Sequence, residues 1–203
     1  MREGITFAGS MIVDHLKTVD AYPREGELAA IRSLSYSPGG LVCNTACALK
    51  ALDQSVRVYA EGAVGNDADG EMLLSFLSTR GIDVSAVKRE GVTSFTDVVQ
   101  TPTQRTFFQY GGACDSYAPT NGEVAAMRAC GINLLRLLHV GYLLLLPALD
   151  APDSEFGTVM ARVLREAKKN GMETSVDCVS ECGDRYKSIV PPALMYTDYL
   201  TVN

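Results

Sequence analysis

Apolar and polar positions along the chain alternate between two periods. Ile5 to Gly9, Val56 to Ala60, Leu137 to Leu145, Glu173 to Cys178 and Tyr199 to Val202 are short apolar or β-forming runs, as expected of buried strands. Between them, Leu41 to Leu52 sets Leu41, Cys47, Ala48 and Ala51 near one helical face, and Glu71 to Arg80 is a helix stopped by Gly81. Asn121 to Ala129 reads as a further helix. So does Asp153 to Asn170, with Asp153 or Ser154 as cap, Lys168 and Lys169 in its last turn and Gly171 as stop. Strands alternating with helices predict an α/β fold: a doubly wound, mostly parallel sheet with helices on both faces. Ser94 to Tyr110 breaks the rhythm. Phe95, Val98, Val99, Phe107, Phe108 and Tyr110 flank the turn Thr101-Pro102-Thr103-Gln104, which predicts a hairpin outside the main sheet. With one or two short edge strands around residues 12–36, it makes either a small sheet covering a ligand or a decorative insertion.

Two glycine-rich loops each open a helix: Pro38-Gly39-Gly40, and Gly62 to Gly70. Helix starts expose backbone N–H groups. A phosphate cradle also wants a nearby Lys. The first loop has no basic residue between Pro38 and Ala48, and the second carries Asp67 and Asp69, which would repel phosphate. These loops therefore suit a neutral, hydroxyl-rich ligand, with Asn44 offering both a donor and an acceptor. Equally open is that the glycines only make turns and that Asn44 and Asp67 only cap helices. Asp14 follows the first strand, where open α/β sheets bind ligands, and an ionised carboxylate accepts from two adjacent hydroxyls. Alone it reads as a turn aspartate. His15 reads as a polar loop residue, His139 as a core histidine, and Arg105 as a solvated strand residue or a contact to an acidic or phosphorylated ligand.

With 203 residues, 47% apolar and 21% charged, the chain fits one globular domain. Its net charge of −6 gives no electrostatic footprint for nucleic acid or an anionic membrane. Leu134 to Leu149 is interrupted by Arg136, His139 and Pro147 and falls short of the ~20 residues of a spanning helix. The N-terminus has too short an apolar run for a signal peptide, so a cytoplasmic location and free thiols are expected. Cys43 with Cys47 and Cys178 with Cys182 could form a zinc site, but their apolar flanks read as core cysteines, and no metal is expected.

Taken together, these residues resemble the ribokinase-like, PfkB-type carbohydrate kinases. The resemblance runs in order through Gly9-Ser10 with Asp14, Pro23 and Gly26; Gly39-Gly40 with Asn44 and Ala46; Gly62-x-x-Gly65-x-Asp67-x-x-Gly70; the hairpin with Thr106-Phe107 leading to Gly112-Ala113; and Asp198-Tyr199-Leu200-x-x-Asn203. It implies that Asp14, Gly39, Gly40 and Asn44 hold sugar hydroxyls, that the hairpin, with Arg105 and Phe107, belongs to a β-sheet lid (strands within about 12–36 and 94–112), and that Asn203 lies near the nucleotide phosphates and magnesium. The implied activity is ATP- and magnesium-dependent phosphoryl transfer to a sugar hydroxyl, with a possible homodimer through the lid sheet.

The family's glycine-rich anion hole and catalytic Asp have no counterpart. The nearest string, Glu181-Cys182-Gly183-Asp184-Arg185, lacks the earlier glycine and does not open a convincing helix. Nor is there a G-x4-G-K-[ST] loop or a G-x-G-x-x-G fingerprint, which disfavours a dinucleotide-binding oxidoreductase. The expectation is a single ribokinase-like domain cut short: the sugar-binding half and lid, with the base beyond Asn203, inactive alone and marginally stable through an uncovered sheet edge. The alternative is a non-catalytic sugar- or nucleoside-binding or dimerising module descended from such a kinase.

Overall fold

The apolar runs form strands that pair side by side, and their order in space is not their order in sequence. A computed structural model describes residues 4–129, 137–181 and 183–202. In chain order, β1 is Ile5–Gly9, β2 Ile12–Val19, β3 Ile31–Gly39, α1 Gly40–Leu52, β4 Val58–Glu61, β5 Ala63–Val64, α2 Ala68–Ser78, β6 Ile82–Asp83 and β7 Lys88–Arg89. There follow β8 Ser94–Gln100, β9 Arg105–Tyr110, α3 Gly112–Ser116, α4 Asn121–Ala129, β10 Leu137–Leu143 and α5 Pro147–Asp150. The last elements are β11 Pro152–Asp153, β12 Gly157–Thr158, α6 Val159–Lys169, β13 Glu173–Cys178, α7 Tyr186–Leu194 and β14 Tyr199–Thr201.

The central sheet runs β14-β13-β10-β1-β4-β6 with every pairing parallel. One face packs Phe7, Val58, Ala60 and Ile82 against Val42, Cys43 and Ala46 of α1 and Leu73 and Leu77 of α2. The other packs Ala8, Leu138, Val140 and Val176 against Val124 and Met127 of α4 and Met160, Val163 and Leu164 of α6. Helices thus cover both faces, and the ligand-bearing edge of such a sheet is at the carboxyl ends of its strands.

A second, four-stranded sheet, β3-β2-β8-β9, stands apart. β2 pairs antiparallel with β3 and parallel with β8, and β8–β9 is the expected hairpin. The strands in the 12–36 region are longer than expected, because exposed β3 shows little of the alternation of a half-buried strand. Asp14 lies inside β2 and not just past β1.

Two helix assignments need correction. α6 starts at Val159, not near Asp153: Gly157 has φ +85° and Thr158 is the cap, its Oγ1 accepting from Ala161 N at 3.1 Å. Asp153 instead accepts from Glu155 N and Phe156 N in the preceding turn. The 181–185 string leads directly into α7, which forms despite Pro191 and Pro192 because Ile189, Val190 and Ala193 pack onto the core.

Glu61, at the end of β4, is buried and 9% exposed. Burial pushes its carboxyl up to about 7, helped by Glu123 and opposed by Lys88. The folded chain therefore retains a proton that the unfolded chain has already lost. This stabilisation is complete below the ordinary carboxylate range and is lost as pH rises through about 7. Glu61→Gln is expected to raise the thermal midpoint at pH 8, by roughly 3 kcal/mol of stability at most, and to leave it nearly unchanged at pH 4.5. Calorimetric melts at the two pH values check this.

Candidate functional site

The site grows from three strand ends and one helix start. Gly9 closes β1, Gly141 lies opposite it near the end of β10, and Asp177 sits near the end of β13. Ser10, just after β1, fastens α1 to this corner. Its Oγ accepts from Leu41 N at 3.0 Å and its carbonyl from Val42 N at 3.1 Å. Gly39, at the cap position, has no side chain for that task. Gly40 has φ +79°, and a methyl group there would lie 2.5 Å from the Ser10 carbonyl oxygen, so only glycine lets the helix start this close to the strand. Some of the N–H groups that the two helix starts expose are taken within the chain. Ser10 takes two donors of α1, while the Asp67 side chain takes Gly70 N and its carbonyl takes Glu71 N in α2.

Asp14 projects from β2 against Gly39, where a methyl group would meet its Oδ2 at 2.8 Å. Burial raises its carboxyl above the usual range, and His15 opposes that rise. Among the described residues Asp14 has no hydrogen-bond partner, although it is half-buried. Asn44, one turn into α1, is exposed and close enough to the Tyr142 hydroxyl to lower its pKa. That phenol is pushed up by burial and by the nearby Asp177 and Asp14 carboxylates. Among the described residues Asp177 Oδ1 is buried with no partner, over Gly141, where a methyl group would meet it at 1.9 Å; burial raises this carboxyl to about 6. The fold therefore brings Asp14, Gly39, Gly40 and Asn44 together and adds Ser10, Tyr142 and Asp177. Parallel strand order makes these last three neighbours, and no sequence spacing signals it.

Arg105 and Phe107 lie on the same face of the four-stranded sheet as Asp14, since Asp14 is level with Thr96 and Gln109. Phe107 is two residues along β9 from that level and 63% exposed. Arg105 is four residues along, about 13 Å at 3.3 Å per residue, and two strands across, so the fold does not bring it to Asp14. Asn203 and Cys182 lie outside the described residues. The Cys43 thiol is buried and pushed up to about 12 by burial first and then by Cys47 and Cys114, as suits a packing thiol. His139 is half-buried, and burial lowers its pKa. Its Nδ1 is 2.8 Å from Ser175 Oγ and its ring is edge-on to Phe7, which makes it a core residue.

Among the described residues no group of three or more His, Cys, Asp or Glu side chains could hold a metal ion, and neither glycine loop carries a lysine. The side chains gathered here offer carboxylate oxygens at Asp14 and Asp177, an amide at Asn44 and a phenol at Tyr142, all able to hydrogen-bond.

The family model described as pfkB family carbohydrate kinase matches residues 2–203. The chain belongs to that family. Solved structures agree with this member's fold. A ribokinase from Arabidopsis thaliana complexed with ribose and ATP is 20% identical, with TM-score 0.78 over 100% of this chain and 61% of that one. A ribokinase from Cryptococcus neoformans in complex with ADP is 17% identical, with TM-score 0.73 over 99% and 56%. A fructokinase with bound ATP from Xylella fastidiosa is 18% identical, with TM-score 0.70 over 98% and 61%. The PfkB chain spans about three fifths of the length of these structures. No curated protein matches it by sequence. Among the described residues no helix is long and apolar enough to cross a membrane.

Proposed function

We propose that this PfkB family member holds a sugar at the strand ends, as the sugar-binding part of an ATP-dependent carbohydrate kinase, with the four-stranded sheet as its lid. The observation that carries this reading is Asp14: a half-buried carboxylate without a hydrogen-bond partner among the described residues, set against Gly39 and facing Tyr142. Burial raises this carboxyl, so its ionised form costs the folded state unless a ligand completes it. In this reading Asp14 accepts from two neighbouring hydroxyls, Gly39 and Gly40 let the sugar approach the helix start, and Asn44 donates to or accepts from a third hydroxyl. ATP and magnesium are the phosphoryl donor and its counter-ion, held by groups other than those described, with Asn203 in their vicinity. The site's chemistry is positioning, which dominates phosphoryl transfer.

A second copy is the partner in this reading. Phe108 and Tyr110 project with Tyr36 from the sheet face opposite Asp14, and all three are largely exposed. Phe107 lies on the Asp14 face. The same patch favours the dimerising module as the second reading.

The chain alone is expected to transfer no phosphate. Incubation with ATP, magnesium and D-ribose or D-fructose, with phosphorylated sugar read by mass spectrometry, tests this. Product above the rate without protein would show that base and anion hole lie within residues 1–203.

A further inference from the structure

The second glycine loop, Gly62 to Gly70, has no part in the sugar seat, yet its polar groups are heavily committed. Asp67 accepts from Gly70 N at 2.8 Å, from Thr93 N at 2.8 Å and from Thr93 Oγ1 at 2.5 Å, while Gly65 N donates to Thr93 Oγ1 at 2.8 Å. Thr93 immediately precedes β8, so this fastening ties the start of α2 to one strand of the four-stranded sheet. A second fastening reaches the neighbouring strand. Asp69, in the first turn of α2, lies 2.8 Å from His15 Nε2 through its Oδ2. His15 Nδ1 is 3.4 Å from Asp97 Oδ1, and Asp97 also pairs with Lys17. The imidazole is stacked on Phe95, with ring centres 5.0 Å apart and planes within 12°, and is edge-on to Tyr36.

His15 and Asp14 are consecutive on β2, so their side chains leave opposite faces of one strand. Fixing one therefore fixes the backbone that carries the other. We infer that His15 is a positioning residue: through Asp69 it locks β2 to α2 so that Asp14 is held at Gly39 in the orientation that takes a sugar hydroxyl. This rests on the reading of Asp14 given above. The groups facing His15 are Asp69, Asp97 and Lys17, with Phe95 and Tyr36 as its apolar walls. His15 also opposes the rise that burial imposes on the Asp14 carboxyl, favouring the ionised form that accepts two hydroxyls.

Two measurements on the sugar-free chain decide the inference. Hydrogen–deuterium exchange compares His15→Ala, His15→Gln and Asp69→Ala with the parent. The β2 and β8 amides are expected to exchange about tenfold faster in His15→Ala and Asp69→Ala, the size of one charge-assisted hydrogen bond, with α6 unchanged. His15→Gln, whose amide can still donate to Asp69, is expected to restore slow exchange. A carbon-13 titration then follows the Asp14 carboxyl, which is expected to hold its proton to higher pH in His15→Ala and in His15→Gln. A histidine that fastens the strand without reaching Asp14 would leave that titration unmoved. Unchanged exchange in both alanine variants, or an unmoved Asp14 titration, would overturn the inference. Calorimetric titration of D-ribose and D-fructose into the parent is the separate check. If neither sugar binds, the sugar reading of Asp14 fails, while the exchange and carboxyl results still decide whether His15 positions it.

Discussion

Asp14→Ala is expected to abolish sugar binding without lowering the thermal midpoint. An ionised carboxylate accepting from two hydroxyls contributes about 1.5–3 kcal/mol per hydrogen bond, so the loss is at least about 100-fold in Kd. The fold responds in the opposite sense. Burial is the largest influence on the Asp14 carboxyl and raises it, so near neutral pH the ionised side chain costs the folded state. Removing it leaves the melt unchanged or slightly higher, as happens when a residue serves binding at the expense of stability. Calorimetric titration with D-ribose and D-fructose, paired with a thermal melt of the same sample, separates the two effects. Binding that survives with a lowered midpoint would make Asp14 a structural residue.

The second large effect is on stability. Gly9→Ala is expected to destabilise the chain by about 3 kcal/mol or more, a large part of the 5–15 kcal/mol typical of a domain. Gly9 has φ +125°, and a methyl group would lie 1.8 Å from the Gly141 carbonyl oxygen, where β1 meets β10 at the centre of the sheet. Neither backbone can yield, because Ser10 N donates to that same oxygen at 3.1 Å and Ser10 in turn holds the start of α1. Gly26→Ala is the control. Its φ of +82° is also left-handed, but nothing lies within 4 Å of the added methyl, so only a cost of about 1 kcal/mol is expected. Urea unfolding of both variants decides it, and equal losses would contradict the account of this corner.

The parallel sheet was legible because five apolar or β-forming runs are separated by helical stretches, and the β8–β9 hairpin because its turn residues are unambiguous. β3 was not, because its neighbours bury almost none of it and a solvated strand leaves little hydrophobic period. α7 was hidden by Pro191 and Pro192, whose local cost is outweighed by the packing of Ile189, Val190 and Ala193. The start of α6 was misplaced because Asp153 and Ser154 are good cap residues, whereas Gly157 delays the helix to Thr158. At the site, Asp14, Gly39, Gly40 and Asn44 carried a family pattern. Tyr142 and Asp177 did not, since their closeness follows from β10 and β13 lying side by side. His15 looked like a loop residue because its partner Asp69 is 54 positions away.

The most direct test of the sugar seat is an amide chemical-shift map of isotope-labelled chain titrated with D-ribose and D-fructose. The account predicts that one of these sugars shifts a single cluster containing Asp14, Gly39, Gly40, Asn44 and Tyr142, with the β9 strand following. Shifts confined to the groove between Leu144, Glu181 and Val190, or none at saturating sugar, would contradict it.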